Sequence, residues 1–402
     1  ARSPPCTVWR TRTEMAPLLP QPPGTSRPLI AWMSTKFPLE LPAALGLTVY
    51  CPESAASAAA GQGTSLSLCR AGENSGYCGD LCSYVRMGMA IAADPTRGHL
   101  PRPDVLLCCD NICSGMLQWY QAMARTLNVP LLLLNIPYHQ TDSPSPEALA
   151  YFQAQFFAVL HALEDLTGRQ CGPERLHQVC RQANRTVRAW QAVLDTALAH
   201  PSPLDNLELF QYMPWMVTGR CDPAVESRLW SLTRELRSRP ADPSHRTDYR
   251  VFWEGSPCWP NTRGILPLLK QRHIQIVADT ITPSLCFRYS SLEGLARAYC
   301  GTINGISLEE GVRMRAALCR RFQIDGVLVH YNRSCRPWCG TLQEVERRLR
   351  SELRLPVVAF EGDQGDPGVF SQSHFATRLD SLTELMDQSR GSSGHPSSPY
   401  LF

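Results

Sequence analysis

Three pairs of cysteines in this 402-residue sequence share the spacing CxxxC: Cys78 with Cys82, Cys109 with Cys113, and Cys335 with Cys339. On a helix, residues four apart lie on one face, so each pair could present two thiols together. The spacing is not the CxxC of a zinc knuckle, which disfavours a tetrahedral structural zinc, although dispersed cysteines can also assemble such a site. Thiolates select soft or borderline centres such as iron-sulfur clusters. Three cysteines can hold a cluster and leave one iron open to substrate, whereas four close it and leave an electron carrier. Free cysteine is also a common buried apolar residue, so most of the 17 cysteines are expected to be packing residues.

Placement adds to spacing. The stretch DVLLCCDNIC, a helix and VPLLLLNIP repeat the plan of DGVLVHYNRSC, a helix and LPVVAFEGD. In each unit the first strand ends in a loop that carries Asn and then Cys, Asn111 with Cys113 and Asn332 with Cys335. Parallel α/β sheets put such loops on their functional edge. Two related domains facing each other would bring both cysteines into one cleft.

The elements that must position them follow from periodicity. Short apolar runs alternate with helical patterns from Pro28 onward, the signature of an α/β fold with mostly parallel sheets and crossover helices. The expected organisation is an unstructured extension over 1–27, a first Rossmann-like (flavodoxin-like) domain over 28–144, and a helical insertion or linker over 145–245. A second such domain follows over 246–389, then a flexible tail over 390–402. Within the first domain, strands are expected at Leu29–Met33, Thr48–Cys51, Asp104–Cys109 and Pro130–Asn135, and a helix at Leu81–Ala90. In the insertion, Leu149, Phe152, Phe156, Leu160 and Leu163 recur at helical spacing, with Gly168 placed to end that helix. In the second domain, Asp325–His330 reads as a strand, Tyr331–Gly340 as a polar loop and Thr341–Leu353 as a helix.

Bulk properties exclude several classes. A net charge of +3, from 39 basic and 36 acidic residues without a basic block, leaves no electrostatic footprint for nucleic acid or an anionic membrane. No stretch reaches the roughly 18 to 20 consecutive apolar residues of a membrane span. An odd cysteine count without a signal-peptide pattern fits thiols in a reducing cytoplasm rather than a disulfide framework. Ala1–Arg27 is rich in Pro, Arg and Thr and has no apolar core, and Met15 is a candidate natural start. There is no GxxxxGK[ST] phosphate loop and no convincing GxGxxG fingerprint.

Five segments and the closing region resemble the family that joins 2-hydroxyacyl-CoA dehydratases, benzoyl-CoA reductases and double-cubane proteins. They are FPLELPAALG (Phe37–Gly46), YCPES (Tyr50–Ser54), LCSYVRMGMA (Leu81–Ala90), DNICSGMLQWYQAMA (Asp110–Ala124) and DGVLVHYNRSC (Asp325–Cys335), followed by Val357–Met386. The resemblance implies a heterodimer of paralogous subunits, with Cys82, Cys113 and Cys335 of this chain holding a [4Fe-4S] cluster. It implies elimination of water from an (R)-2-hydroxyacyl-CoA through a ketyl radical, the electron arriving from a separate ATP-hydrolysing iron-sulfur activator. Chemistry agrees: the 3-hydrogen is not acidic and the hydroxyl sits on the wrong carbon for ordinary elimination. One electron on the thioester carbonyl removes both obstacles, and an open iron can help hydroxide leave as a Lewis acid. Alternatives are a low-potential reductase of benzoyl-CoA or double-cubane type, the latter drawing on all six CxxxC cysteines, and a noncatalytic zinc-binding scaffold.

Other residues complete the candidate site. Glu53 in YCPES and Ser34 in WMSTKFP follow early strands, Glu53 as a proton-transfer group and Ser34 as a binder of the hydroxyl or thioester oxygen. A helix cap and a loop carboxylate are the bland readings. Glu40 ranks below Glu53. Arg86 and Arg333 flank candidate cysteines and could meet the CoA phosphates or form ordinary salt bridges. His330 reads as a hydrogen-bonded core histidine ahead of a proton donor. EGSPC (Glu254–Cys258) reads as a tight strand-end turn with Gly255 allowing close backbone approach.

Overall fold

The computed structural model describes residues 8–9, 28–139, 143–204, 207–240 and 248–392. Apolar runs that are buried on both faces form the strands, as parallel sheets covered by helices require. The first sheet contains β1 (Val8–Trp9), β2 (Ile30–Met33), β3 (Thr48–Tyr50), β4 (Val105–Cys109) and β5 (Leu131–Leu134), in the order β1-β5-β4-β2-β3. All neighbours are parallel except β1, which runs antiparallel to β5. The second sheet contains β6 (Tyr249–Glu254), β7 (Ile274–Asp279), β8 (Gly326–Asn332) and β9 (Val357–Gly362), in the parallel order β7-β6-β8-β9.

Leaving β1 aside, both sheets have the flavodoxin-like order in which the second strand lies outside the first, and the third and fourth follow on its other side. The point where the order reverses therefore lies between β2 and β4 in one sheet and between β6 and β8 in the other. The crevice at the carboxyl ends of such strands is where open α/β sheets bind ligands.

The repeated units fold alike, as β4, helix Ser114–Leu127 and β5, and as β8, helix Arg336–Leu353 and β9. One boundary in the second unit differs from expectation. Tyr331–Gly340 is not a loop: β8 pairs with β9 through Asn332 opposite Gly362, and the next helix starts at Arg336 with Pro337 in its first turn. Proline suits that position because first-turn N–H groups have no helical partner. Of the expected N-terminal extension, Val8–Trp9 forms the edge strand β1, and 1–7 and 10–27 lie outside the described residues. The tail beyond Ser392 lies outside them too.

The middle of the chain forms the helices Pro146–Thr167, Pro173–Leu194, Leu209–Gly219 and Pro223–Ser238. Ser145 caps the first, and Gly168 ends it at φ +65°, a conformation that favours glycine. Its apolar stripe has no core of its own. Leu149, Phe152, Phe156, Val159, Leu160 and Leu163 pack with Ala31, Leu107 and Leu132 of the first sheet and with Leu295 and Tyr299 from beyond β7. Chain from the second half thus closes the core of the first. A buried knot at this junction joins the Glu40 carboxylate to Arg220, 3.2 Å away, and to the hydroxyls of Tyr289 and Tyr299, both at 2.6 Å. No described helix is long and apolar enough to cross a membrane.

Candidate functional site

Each candidate cysteine immediately precedes a helix: Cys82 before Ser83–Ala93, Cys113 before Ser114–Leu127, and Cys335 before Arg336–Leu353. First-turn N–H groups have no helical partner and carry the positive end of the helix dipole. Here they meet sulfur. Cys113 Sγ accepts from the Met116 N–H at 3.2 Å, Cys82 is favoured by the N–H groups of Tyr84 and Val85, and Cys335 by that of Trp338. The three thiols lie within electrostatic reach of one another, Cys82 of Cys113 and Cys335 of both. Burial pushes the Cys82 thiol up to about 11 and the Cys335 thiol up to about 12, and raises Cys113 as well. Backbone N–H groups oppose that shift at each sulfur.

Contacts between the two halves hold these caps together. The Ser83 N–H donates to Ser334 Oγ at 3.2 Å, joining the Cys82 turn to the Cys335 turn. The Cys113 loop is tied to the second half by Asn111 Nδ2, which donates to Thr302 Oγ1 at 2.9 Å, and by Asn304 Nδ2, which donates to Ile112 O at 2.8 Å. A directed chain approaches Cys82 from the second sheet. Asn332 Nδ2 donates to Ser256 Oγ, the Ser256 hydroxyl donates to Gln364 Oε1, and Gln364 Nε2 donates to Cys82 Sγ, each at 3.2 Å. Gly255, at φ +101°, makes the Ser256 turn possible, and a Cβ there would stand 3.2 Å from the His330 carbonyl.

Among the described residues, no three His, Cys, Asp or Glu side chains are grouped tightly enough to hold a single metal ion. Three separated thiols beneath three helix N-termini suit a larger anionic body in which each sulfur binds a different metal atom. The soft donor set and the inward-facing dipoles both fit an iron-sulfur cluster. The remaining members of the CxxxC pairs are placed differently. Cys78 is exposed, Cys109 is fully buried in β4, and Cys339 lies in the first turns of its helix, its thiol donating to Asn332 O at 3.1 Å. A shared helix face does not explain the spacing of the first two pairs, because Cys78 precedes its helix and Cys109 ends a strand.

Glu53 is buried in the first turn of helix Pro52–Gly61. Its Oε1 accepts from the Thr35 N–H at 3.0 Å and the Thr35 hydroxyl at 3.3 Å; its Oε2 accepts from the Tyr120 hydroxyl at 3.1 Å and the Cys51 thiol at 3.4 Å. Burial raises its pKa above the usual carboxylate range, against these donors, and its charge reaches Cys113. Ser34 is fully buried, its hydroxyl accepting from the Cys109 N–H at 3.1 Å inside the sheet. The neighbouring hydroxyl of half-buried Thr35 is the one that faces Glu53.

Arg86 is buried in ion pairs with Glu73 at 2.5 Å and Asp366 at 3.0 Å. Arg333 is exposed beside Cys335, and its backbone N–H donates to Gly362 O at 3.0 Å. His330 is fully buried between Cys258 Sγ at 3.0 Å and Ser256 O at 2.5 Å, and burial lowers its pKa to about 4, so it is a neutral core residue. Sequence reasoning passed over Thr35, Lys36 and Gln364. The first two lie in WMSTKFP, and Gln364 in the closing segment, but burial and partners distinguish them only in the fold.

Two sheets of one topology, with switch-point loops and three capping thiols facing a common junction, define a two-domain α/β protein with a thiol-lined interdomain site. The chain belongs to the family described as "2-hydroxyglutaryl-CoA dehydratase, D-component", whose profile matches residues 34–386. It is 30% identical to the (R)-2-hydroxyglutaryl-CoA dehydratase subunit alpha of Acidaminococcus fermentans, over 89% of this chain and 92% of that one. It is 32% identical to the (R)-phenyllactyl-CoA dehydratase alpha subunit of Clostridium sporogenes, over 89% of each. A more distant relative is a benzoyl-CoA reductase subunit from Thauera aromatica, 25% identical over 79% of each chain.

Proposed function

We propose that this chain is the cluster-bearing subunit of an (R)-2-hydroxyacyl-CoA dehydratase, with Cys82, Cys113 and Cys335 holding a [4Fe-4S] cluster. The observation that carries this reading is the meeting of three thiols, each beneath a helix N-terminus, at the carboxyl ends of two like sheets. When bound, the cluster would supply electron transfer and an open Lewis-acid position.

The chain's own residues then have definable tasks. The interdomain contacts hold the three cysteine turns together, with the thiols half-buried. Thr35 positions the Glu53 carboxylate, and Glu53, raised in pKa by burial, exchanges a proton at Oε2 or Oε1 with the substrate. One electron on the thioester carbonyl gives a ketyl radical, hydroxide departs from C2, a proton leaves C3, and the electron is returned. The net change is loss of one water. Arg333, exposed at the rim, is a candidate for a CoA phosphate, whereas Arg86 serves the fold through its carboxylate pairs.

The alpha-subunit names of the relatives support a partner subunit, which this reading takes to be a paralogue. The family resemblance supports a separate ATP-dependent activator as electron donor, and the free thiols suit a reducing cytoplasm. The buried position of Cys109 favours one cubane over a six-cysteine double-cubane cluster.

Anaerobic co-expression with the partner, reconstitution, iron and sulfide assay, electron paramagnetic resonance and acyl-CoA turnover test this reading. Roughly four irons on this chain support it, and about eight support a double-cubane reductase. Cys113→Ser and Cys335→Ser should each lose the cluster signal. A colourless protein containing zinc and no sulfide would sink the proposal.

A further inference from the structure

Asp363 follows β9, in the closing loop that also supplies Gln364, and is 1% exposed. Its two oxygens serve different loops. Oδ1 accepts from the N–H groups of Gly365 at 2.8 Å and Asp366 at 2.9 Å, and Oδ2 accepts from the Ser334 N–H at 3.3 Å. Ser334 precedes Cys335, and its hydroxyl is the group that receives the Ser83 N–H beside Cys82. One residue therefore connects the Asp363 carboxylate to two of the three cysteine turns.

The same loop is pressed onto the helix that Cys82 caps. A Cβ at Gly365 would stand 2.8 Å from Ser83 Oγ, and Asp366 pairs with Arg86 of that helix at 3.0 Å. No described cation pairs with Asp363 itself, and its charge reaches the sulfurs of Cys82 and Cys339. The identity of the side chain matters as well as its place. Asparagine could satisfy Gly365 and Asp366 through its one oxygen, but its amide would meet the Ser334 N–H donor to donor.

We propose that Asp363 is a positioning residue and the fixed negative charge of the thiol site, setting the Cys82 and Cys335 turns and lowering the potential of a cluster bound between them. Reduction adds negative charge, which a buried carboxylate without a counter-cation opposes. A low potential suits delivery of an electron to a thioester carbonyl. Gln364, the next residue, acts in the opposite sense through its N–H on Cys82, so adjacent side chains set the potential from both directions. This inference rests on the proposed cluster-bearing function.

Redox titration of the reconstituted complex, followed by electron paramagnetic resonance, tests it, the signal of this chain being the one lost in Cys113→Ser. Asp363→Asn should raise the midpoint by about 60 mV, equivalent to a tenfold change for one electron, and Asp363→Glu should retain most of the wild-type value. Ser334→Ala, which cuts the link to Ser83 and keeps the charge, should shift the midpoint by much less. The sign is decisive, because loss of a residue that only supported Gln364 would lower the midpoint. An unchanged or lower midpoint in Asp363→Asn, or an equal shift in Ser334→Ala, overturns the inference. So does failure of both Asp363→Asn and Asp363→Ser, when folded, to load a cluster that wild type loads, since the carboxylate would then serve assembly alone. Wild type that takes up no iron and sulfide counts against the cluster-bearing reading itself.

Discussion

Gln364 donates a side-chain N–H to Cys82 Sγ at 3.2 Å across 282 residues of sequence. Ser256 orients that amide by donating to its oxygen. An N–H···S bond stabilises the more negative, reduced state of a cluster and so raises its potential. Gln364→Leu should therefore shift the reconstituted cluster to a more negative potential. The shift should be about 60 mV, equivalent to a tenfold change for one electron, and Ser256→Ala should shift it in the same direction by less. A redox titration followed by electron paramagnetic resonance checks this, and equal midpoints in wild type and Gln364→Leu would refute it.

Glu53→Gln should reduce kcat roughly 10²- to 10⁴-fold, the usual contribution of a positioned acid or base. If the carboxylate is the working form, activity falls as pH drops through its folded pKa, which burial places above the ordinary range. That acidic limb should vanish in the variant. A pH profile of kcat/KM that keeps the same limb in Glu53→Gln would remove Glu53 from the chemistry.

Burial alone would push the Glu40 carboxyl up, but Arg220 and two tyrosine hydroxyls outweigh it and hold the pKa below its usual range. Removing one member strands the other in a dry interior. Arg220→Met should cost about 3 to 5 kcal/mol, as for other broken buried pairs. Urea unfolding of the two variants Arg220→Met and Glu40→Gln measures this, and a loss below about 1 kcal/mol for Arg220→Met would contradict the account.

Lys36 makes the opposite prediction for stability. Desolvation by burial and the nearby charge of Arg220 lower its pKa to about 8, against the raising effects of Cys109 and Cys286. A lysine whose folded pKa is below its unfolded value destabilises the fold at neutral pH. That penalty is full below pH 8 and fades as pH rises from about 8 toward the ordinary lysine value of 10.5. Lys36→Met should consequently be more stable than wild type by about 3 kcal/mol at pH 7, with the advantage shrinking through that window. Denaturation curves at several pH values provide the check.

Local pattern and long-range partnership contributed differently to what could be read in advance. The two strand–helix–strand units were legible because apolar runs, Asn–Cys loops and proline-led strands recur in order, and Cys113 and Cys335 came with them. The Ser34 and Thr35 roles depend on where β2 ends: a shift of one residue turns a hydroxyl from the Cys109 backbone to Glu53. Lys36 and Gln364 had no local signal, since their partners lie 248 and 282 residues away. The helices Leu292–Cys300 and Leu308–Arg321 were also passed over. Tyr299 and Arg315 on these helices matter through Glu40 and Glu254, carboxylates remote in sequence.

The matching strand orders allow the two halves to be compared as though one ancestral unit had been written twice. Cys113 and Cys335 cap the helix after the third strand in both copies. Cys82 caps the last α-helix before that strand in the first copy, and its counterpart in chain order is Ser307, whose side chain accepts from the Glu310 N–H at 3.2 Å. A faithful doubling would supply sulfur in even numbers. With Ser307 the second copy presents oxygen at the helix N-cap where the first presents the sulfur of Cys82, so these four positions offer three thiols.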